Sequence, residues 1–136
     1  MKRIFATIFT CVFLLCTAMT TVYANTSDTK SKVSSEFGTL TGTQSYSGIA
    51  LGRKIILFRV ETTKSAPVLK ARVQIADYAT GVSLDEDVAN NWNSTWASGM
   101  FEGHSDDINT KKISSFGSHE ARGNGSSVVY TTLVGV

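Results

Sequence analysis

Residues 68–78, VLKARVQIADY, set Leu69, Ala71, Val73 and Ile75 in alternation with Lys70, Arg72 and Gln74. A period of two belongs to a strand with one face buried and one face wet. Residues 53–62 (RKIILFRVET) form the most apolar run outside the N-terminus. They are too few for an ordinary helix and rich in β-branched and aromatic side chains, which predicts a second strand. Residues 92–101 alternate Trp92, Ser94, Trp96, Ser98 and Met100 with Asn93, Thr95, Ala97, Gly99 and Phe101, a third. Residues 113–122 and 126–136 flank Gly123-Asn124-Gly125. Asn-Gly is a strong hairpin signal because both residues tolerate positive φ. In the last segment Val128, Tyr130 and Thr132 share one face, and Val129, Thr131 and Leu133 the other. Residues 37–43 and 44–51 read as two short strands, with Gly42, Gly48 and Gly52 marking turns or bulges. Ala79-Thr80-Gly81 is a turn, residues 82–91 mix an acidic turn with weak helix or strand character, and residues 102–112 are a polar loop.

About seven short strands without an amphipathic helix predict an all-β fold, a small antiparallel β-sandwich or barrel. The connection through Pro67, the single proline, invites a simple hairpin with Thr62 opposite Val68. That register gathers Ile55, Leu57, Val73 and Ile75 on the core face. A slip of one residue inverts it.

The N-terminus has a different character. Lys2 and Arg3 precede an apolar core at residues 4–16, and small and polar residues end at Val22-Tyr23-Ala24. This predicts a signal peptide cleaved after Ala24, and hence a secreted protein. An uncleaved anchor is the alternative, since no charge falls between Ile4 and Asp28. Residues 25–36, polar and rich in Ser, Thr and Lys, read as a disordered leader to a single β domain at 37–136. Cys11 and Cys16 both lie in the signal segment, so the mature chain is disulfide-free. That is unusual for a small eukaryotic secreted domain and fits a bacterial exporter. Cleavage takes Lys2 and Arg3 from 13 basic residues and none from the 11 acids, leaving no net charge. The electrostatic case for nucleic acid disappears with it, and no membrane association is expected after cleavage.

Charge is segregated along the chain. Residues 53–72 carry Arg53, Lys54, Arg59, Lys64, Lys70 and Arg72 against Glu61 alone, while residues 73–110 carry acids and no Lys or Arg. Either the two segments face each other, or they make a dipolar surface that steers a partner or drives head-to-tail association. Self-association through an open edge strand, at residues 54–60 or 126–136, is a related expectation. Asp85-Glu86-Asp87 and Asp106-Asp107 offer oxygens to Ca²⁺, but three adjacent acids do not converge on one ion and the spacing is not that of an EF-hand. No metal and no cofactor are expected.

Trp92, Trp96 and Phe101 sit among Asn90, Asn91, Asn93 and Ser94. Aromatic pairs in such a setting stack on sugar rings in exported binding modules, and they also build small cores. Trp92, Trp96 and Phe101, with the acidic Asp106 and Asp107 nearby in sequence, are the candidate binding residues. His119 and Glu120 point to opposite faces of a strand and cannot pair, whereas Glu120 and Arg122 can. No nucleophile elbow, phosphate loop, dinucleotide fingerprint or sortase-type tail is present, so no catalytic residue is assigned and the chain is not expected to be an enzyme. The composition is similar to that of small exported proteins of Gram-positive bacteria, some of them bacteriocin-like, but the likeness covers no motif. The expectation is a non-enzymatic protein that binds an extracellular or cell-surface ligand. The alternative is a bacteriocin-like toxin acting on neighbouring cells.

Overall fold

The alternating stretch 68–78 proves to be the second half of a single strand, β3 (Arg53–Asp77), around which everything else is hung. Residues 26–136 are described by the structure, a computed structural model. The expected signal segment, with Cys11, Cys16 and the expected cleavage after Ala24, lies outside the described residues. In chain order β3 is preceded by β1 (Ser27–Ser34) and β2 (Gly38–Ala50). It is followed by β4 (Ser83–Glu102), a one-turn helix α1 (Asp106–Thr110), β5 (Ile113–Arg122) and β6 (Ser126–Leu133).

The fold is all-β, an antiparallel sheet of six strands nearly closed into a barrel. The first half of β3 pairs with β2, from Ala50↔Arg53 to Leu40↔Thr62. Its second half pairs with β5, from Val68↔Arg122 to Asp77↔Ile113. The long β4 pairs with both halves. β1 adds to β2 and β6 to β5. The two ends of the sheet approach where the Asp28 carboxylate accepts the Thr132 amide at 2.8 Å.

A bend in β3 makes this wrapping possible. Glu61 pairs with Trp96 and Ala66 with Ser94, so residues 62–65 have no partner on β4. Across this bulge the inward positions change parity. They are even in the first half (Ile56, Phe58, Val60) and odd in the second (Leu69, Ala71, Val73, Ile75). A bulge of this kind bends a strand and re-aims its side chains. Pro67 lies where the ladder is already interrupted, so its missing N–H costs little. The simple hairpin through residues 63–67 is therefore corrected: the chain continues as one strand, and Leu57 faces outward. The merging of 37–43 with 44–51, and of 53–62 with 68–78, also reduces the expected seven strands. One strand is gained, since the expected leader at 25–36 contributes β1, whose Thr29 and Ser31 hydroxyls bond those of Thr43 and Thr41. The weakly patterned residues 82–91 complete β4.

Local chemistry secures the turns. Asp77 Oδ1 accepts the amides of Thr80 and Ala79 at 2.9 and 2.8 Å, and those bonds, Thr80 first, hold its carboxyl below the usual range. The Asn-Gly hairpin joins β5 to β6 as its sequence requires. The Glu36 carboxylate accepts the Asn124 and Gly125 amides at 2.8 and 3.0 Å and so ties the hairpin to the β1–β2 turn.

The far end of the barrel is closed around Lys54. Its ammonium is buried and donates to the carbonyls of Lys111 and Val136, both at 2.7 Å. Burial pushes its pKa down. Asn109 of α1 accepts the Lys54 amide and donates to the Gly103 carbonyl, both at 3.0 Å. Lys54→Met leaves the Lys111 carbonyl without a donor, while the Val136 carbonyl keeps the Ile113 amide at 3.0 Å, a loss of about 1–3 kcal/mol for the dry carbonyl. The expected outcome is a lower urea midpoint with an unchanged slope. A midpoint equal to wild type would mean that this end is open to water.

Candidate functional site

β4 carries the two candidate tryptophans, and the sequence pattern leaves open which of its faces is inside. The structure decides by pairing. Ala97 and Phe101 lie on the core face, so Trp96, Ser98 and Met100 point out. Trp92, opposite the outward Val68, points out as well. Trp92 is 63% exposed and Trp96 48%, whereas Phe101 is 2% exposed and belongs to the core. Phe101 is therefore corrected from a binding residue to a core residue. It has the opposite parity to the tryptophans on the same strand.

The two tryptophans flank the corner of β4. There Asn93 adopts a left-handed backbone (φ 49°). The Asn91 amide group donates to the Ser94 hydroxyl at 3.1 Å and to the Trp96 carbonyl at 2.9 Å, and Asn91 Oδ1 accepts the Trp92 amide at 3.0 Å. Asn91 and Ser94 are thus committed to shaping the corner, and of the asparagines around the tryptophans Asn90 and Asn93 remain exposed.

On the adjacent strand the Arg59 guanidinium carbon lies 5.6 Å from the Trp96 ring centroid, within cation–π range. Arg59 also pairs with Glu61 at 2.5 Å, so the ring, the guanidinium and the carboxylate lie side by side. A shallow hollow of about 690 Å³ lies next to this group on the outer face of β2, β3 and β4. Its wall offers hydroxyls (Thr43, Ser45, Ser98), the Arg59–Glu61 pair and the thioether of Met100. A second outward aromatic group, Phe116 and Tyr130, borders a smaller hollow of about 340 Å³ with Arg72 and Gln74. Neither Arg59 nor these two aromatics stood out in the sequence. For Tyr130 the alternation of residues 126–136 was available, but not the knowledge that its face is the outer one.

Asp106 and Asp107 do not join the tryptophans. They start α1, where Asp107 pairs with Lys111 at 2.6 Å, which raises the lysine's pKa. The helix is anchored at Lys54, seven residues along β3 from the partner of Trp96. At strand rise that is roughly 23 Å. These two residues are corrected to helix-end charges, distant from the aromatic face. In Asp85-Glu86-Asp87, strand alternation turns Glu86 to the outer face, where it pairs with Arg72. Arg53 likewise pairs with Glu102 at 3.2 Å. The basic and acidic segments thus face each other across the β3–β4 ladder. Among the described residues, no group of three or more acids, histidines and cysteines is arranged to hold a metal ion.

His119, Ser115 and Thr131 converge with Gln44 inside the barrel. Gln44 donates to the Thr131 hydroxyl and carbonyl at 2.6 and 3.0 Å and accepts from Ser115 at 2.5 Å. His119 Nε2 meets the Thr131 hydroxyl at 2.7 Å, and Nδ1 has no partner. Burial pushes the His119 pKa down to about 4, against the pull of Asp28, so the ring is neutral at pH 7. Thr131 is the hydroxyl that meets His119, and it also accepts from Gln44, while all four side chains are buried and closed to a substrate. The set is a polar clasp between β2 and the β5–β6 hairpin. Glu120 and Arg122, on the opposite face, pair with each other at 2.7 Å.

No protein-family model matches this chain, and no curated protein matches it.

Proposed function

We propose that this is a secreted, non-enzymatic binding protein that takes a cell-surface glycan on the outer face of β3 and β4. The observation that carries this reading is the outward placement of Trp92 and Trp96, with Arg59 beside Trp96. Small domains bury their tryptophans where they can, because each ring removes a large apolar area from water. Two of them held outside offer flat apolar faces to the C–H face of a sugar ring. The neighbouring Thr43, Ser45 and Ser98 hydroxyls and the Arg59–Glu61 pair supply donors and acceptors for sugar hydroxyls. An apolar platform with a few placed polar groups is the usual composition of a ligand site.

Trp92 and Trp96 are the only tryptophans in the chain, so intrinsic fluorescence reports this face directly. Titration with soluble peptidoglycan fragments or neutral cell-wall polysaccharide is expected to shift the emission. Trp96→Ala is expected to weaken binding roughly thirtyfold, the ~2 kcal/mol of a well-packed aromatic anchor, with the circular dichroism unchanged. Full binding by Trp96→Ala, or constant emission with both glycans, removes the reading.

A further inference from the structure

The segments expected to self-associate are not free edges. Residues 54–60 lie in the central β3 with partners on both sides. β6 lies along β1, with the Asp28 carboxylate on the Thr132 amide at one end and the Glu36 carboxylate on the Asn124 and Gly125 amides at the other. What the barrel leaves open is its outer face, and the exposed rings there do not stop at the tryptophans. Trp92, opposite Val68, opens the outer face of the second half of β3. Further along the same face lie Phe116, opposite Gln74, and Tyr130, opposite Ser118. Phe116 is 49% exposed and Tyr130 66%. They are diagonal neighbours across the β5–β6 ladder, roughly 7 Å apart, and they border the hollow of about 340 Å³ that Arg72, Gln74 and Ser118 also line.

The two stations are built alike. At the first, the Trp96 ring stands beside the Arg59–Glu61 pair and the Ser98 hydroxyl. At the second, the rings of Phe116 and Tyr130 stand beside Arg72, which pairs with Glu86, and the Ser118 hydroxyl. Single exposed apolar side chains need no explanation. A grouping of flat rings, an arginine–glutamate pair and a serine that occurs twice on the outer surface offers the same chemistry twice. We infer that the ligand is a glycan chain long enough to occupy both stations, with Phe116 and Tyr130 as the second one. This rests on the glycan reading above and adds to it the length of the ligand and a second place of contact.

The geometry of the sheet sets the span. Val68 and Gln74, the β3 partners of Trp92 and Phe116, are six residues apart, about 20 Å at strand rise, and β4 and β5 flank β3 about 10 Å apart, so the stations are roughly 22 Å from each other. One sugar ring cannot bridge that distance, whereas a chain can. Between the stations the face carries Asn90 and Lys70, which oppose each other across the β3–β4 ladder and offer polar groups to the sugars in between. Once a chain is held at the tryptophans, its contact with Phe116 and Tyr130 is intramolecular, so the affinity of a long chain exceeds that of a short one without any stronger single contact.

The test compares the wild type with the double variant Phe116→Ala, Tyr130→Ala. Both side chains are exposed, so the variant should keep its fold, which circular dichroism checks, and it keeps both tryptophans as reporters. Peptidoglycan glycan strands and neutral cell-wall polysaccharide, each cut to lengths from a disaccharide upward, are titrated against tryptophan emission. For the wild type the affinity is expected to rise with length and then level off, with a total gain on the order of a hundredfold. The double variant should bind the shortest fragments as the wild type does and lose most of the gain with length. A longer chain also offers more places to bind, but both proteins share that gain, so their difference isolates the second station. The same length dependence in both proteins would overturn the inference and leave the glycan reading standing. Weaker binding of the shortest fragments by the double variant would overturn it too, since the two stations would then not be separate. Constant emission at every length removes the glycan reading and this inference with it.

Discussion

Gly42→Ala is expected to cost the protein a large part of its stability, about 4 kcal/mol. In most strands this change stabilises, because alanine loses less backbone entropy than glycine on folding. At position 42 packing reverses the sign. Gly42 faces inward from β2 onto the His119 ring, and an added Cβ would overlap the ring carbons Cδ2 and Cγ. The ring cannot retreat, because Nε2 is bonded to Thr131. β2 cannot retreat either, because it is paired with β1 on one side and β3 on the other. Overpacking of this kind costs typically 1–3 kcal/mol, and here the clasp is broken as well, so about 4 kcal/mol is expected. That is a large share of the ~5–15 kcal/mol that keeps such a domain folded. Gly117→Ala is expected to behave similarly, its Cβ falling on Gln44, Thr131 and His119. Urea unfolding measures both. A Gly42→Ala midpoint at or above wild type would show that the ring has room to move. His119→Ser should recover part of the loss in the Gly42→Ala background and none in the Gly117→Ala background, where Gln44 and Thr131 still clash.

Acidification is the second large effect. The folded-state pKa of His119 is about 4, below the ~6.5 of an unperturbed histidine. The unfolded chain therefore takes up the proton first as pH falls. The stability tied to a neutral His119 is fully present above about pH 6.5 and declines as pH drops toward 4, reaching about 3 kcal/mol of loss below that. The sign follows from desolvation: the ring has no carboxylate in hydrogen-bonding contact, and its Nδ1 has no partner that could stabilise a charge. Urea midpoints between pH 7 and 5 isolate the effect, because most carboxylates are still ionised there. A steady fall over that range is expected for the wild type, and a nearly flat profile for His119→Gln, at a lower midpoint throughout. A flat wild-type profile, or the same slope in both proteins, would rule out His119 as the source. His104, the other histidine, touches Phe101 by a ring edge at 6.4 Å.

The fate of the candidate site shows where sequence reasoning stops. Trp92, Trp96 and Phe101 were grouped because they are close in the chain. Parity alone separates Phe101 from the tryptophans, since residues 96 and 101 cannot share a face of a regular strand. That part was legible. Which of the two faces is the core is not a property of β4 by itself. It follows from Ala97 and Phe101 meeting the inward row of β3. Arg59 reached Trp96 only through the same pairing. Asp106 and Asp107 are near the tryptophans in sequence, but the chain turns away through Gly103 to anchor α1 at Lys54.

By itself the sequence determined that this is a β protein. It set the alternation of β5, β6 and the second half of β3, the Asn-Gly hairpin between β5 and β6, and the separation of His119 from Glu120. These follow from a period of two and from turn chemistry, both local to a few residues. Only the tertiary structure decided the rest: that β3 runs unbroken past Pro67, that Leu57 is outside and Phe58 inside, that residues 27–34 are a strand, and that the tryptophans face solvent. The run from Ile55 to Phe58 is apolar at every position, so it carries no alternation from which a face could be read. Its face is set by the bulge at 62–65, which shifts parity between the two halves of one strand. Residues 27–34 have almost nothing apolar to bury, and they become a strand because β2 offers an unpaired edge. An open edge exists only once its neighbour has folded.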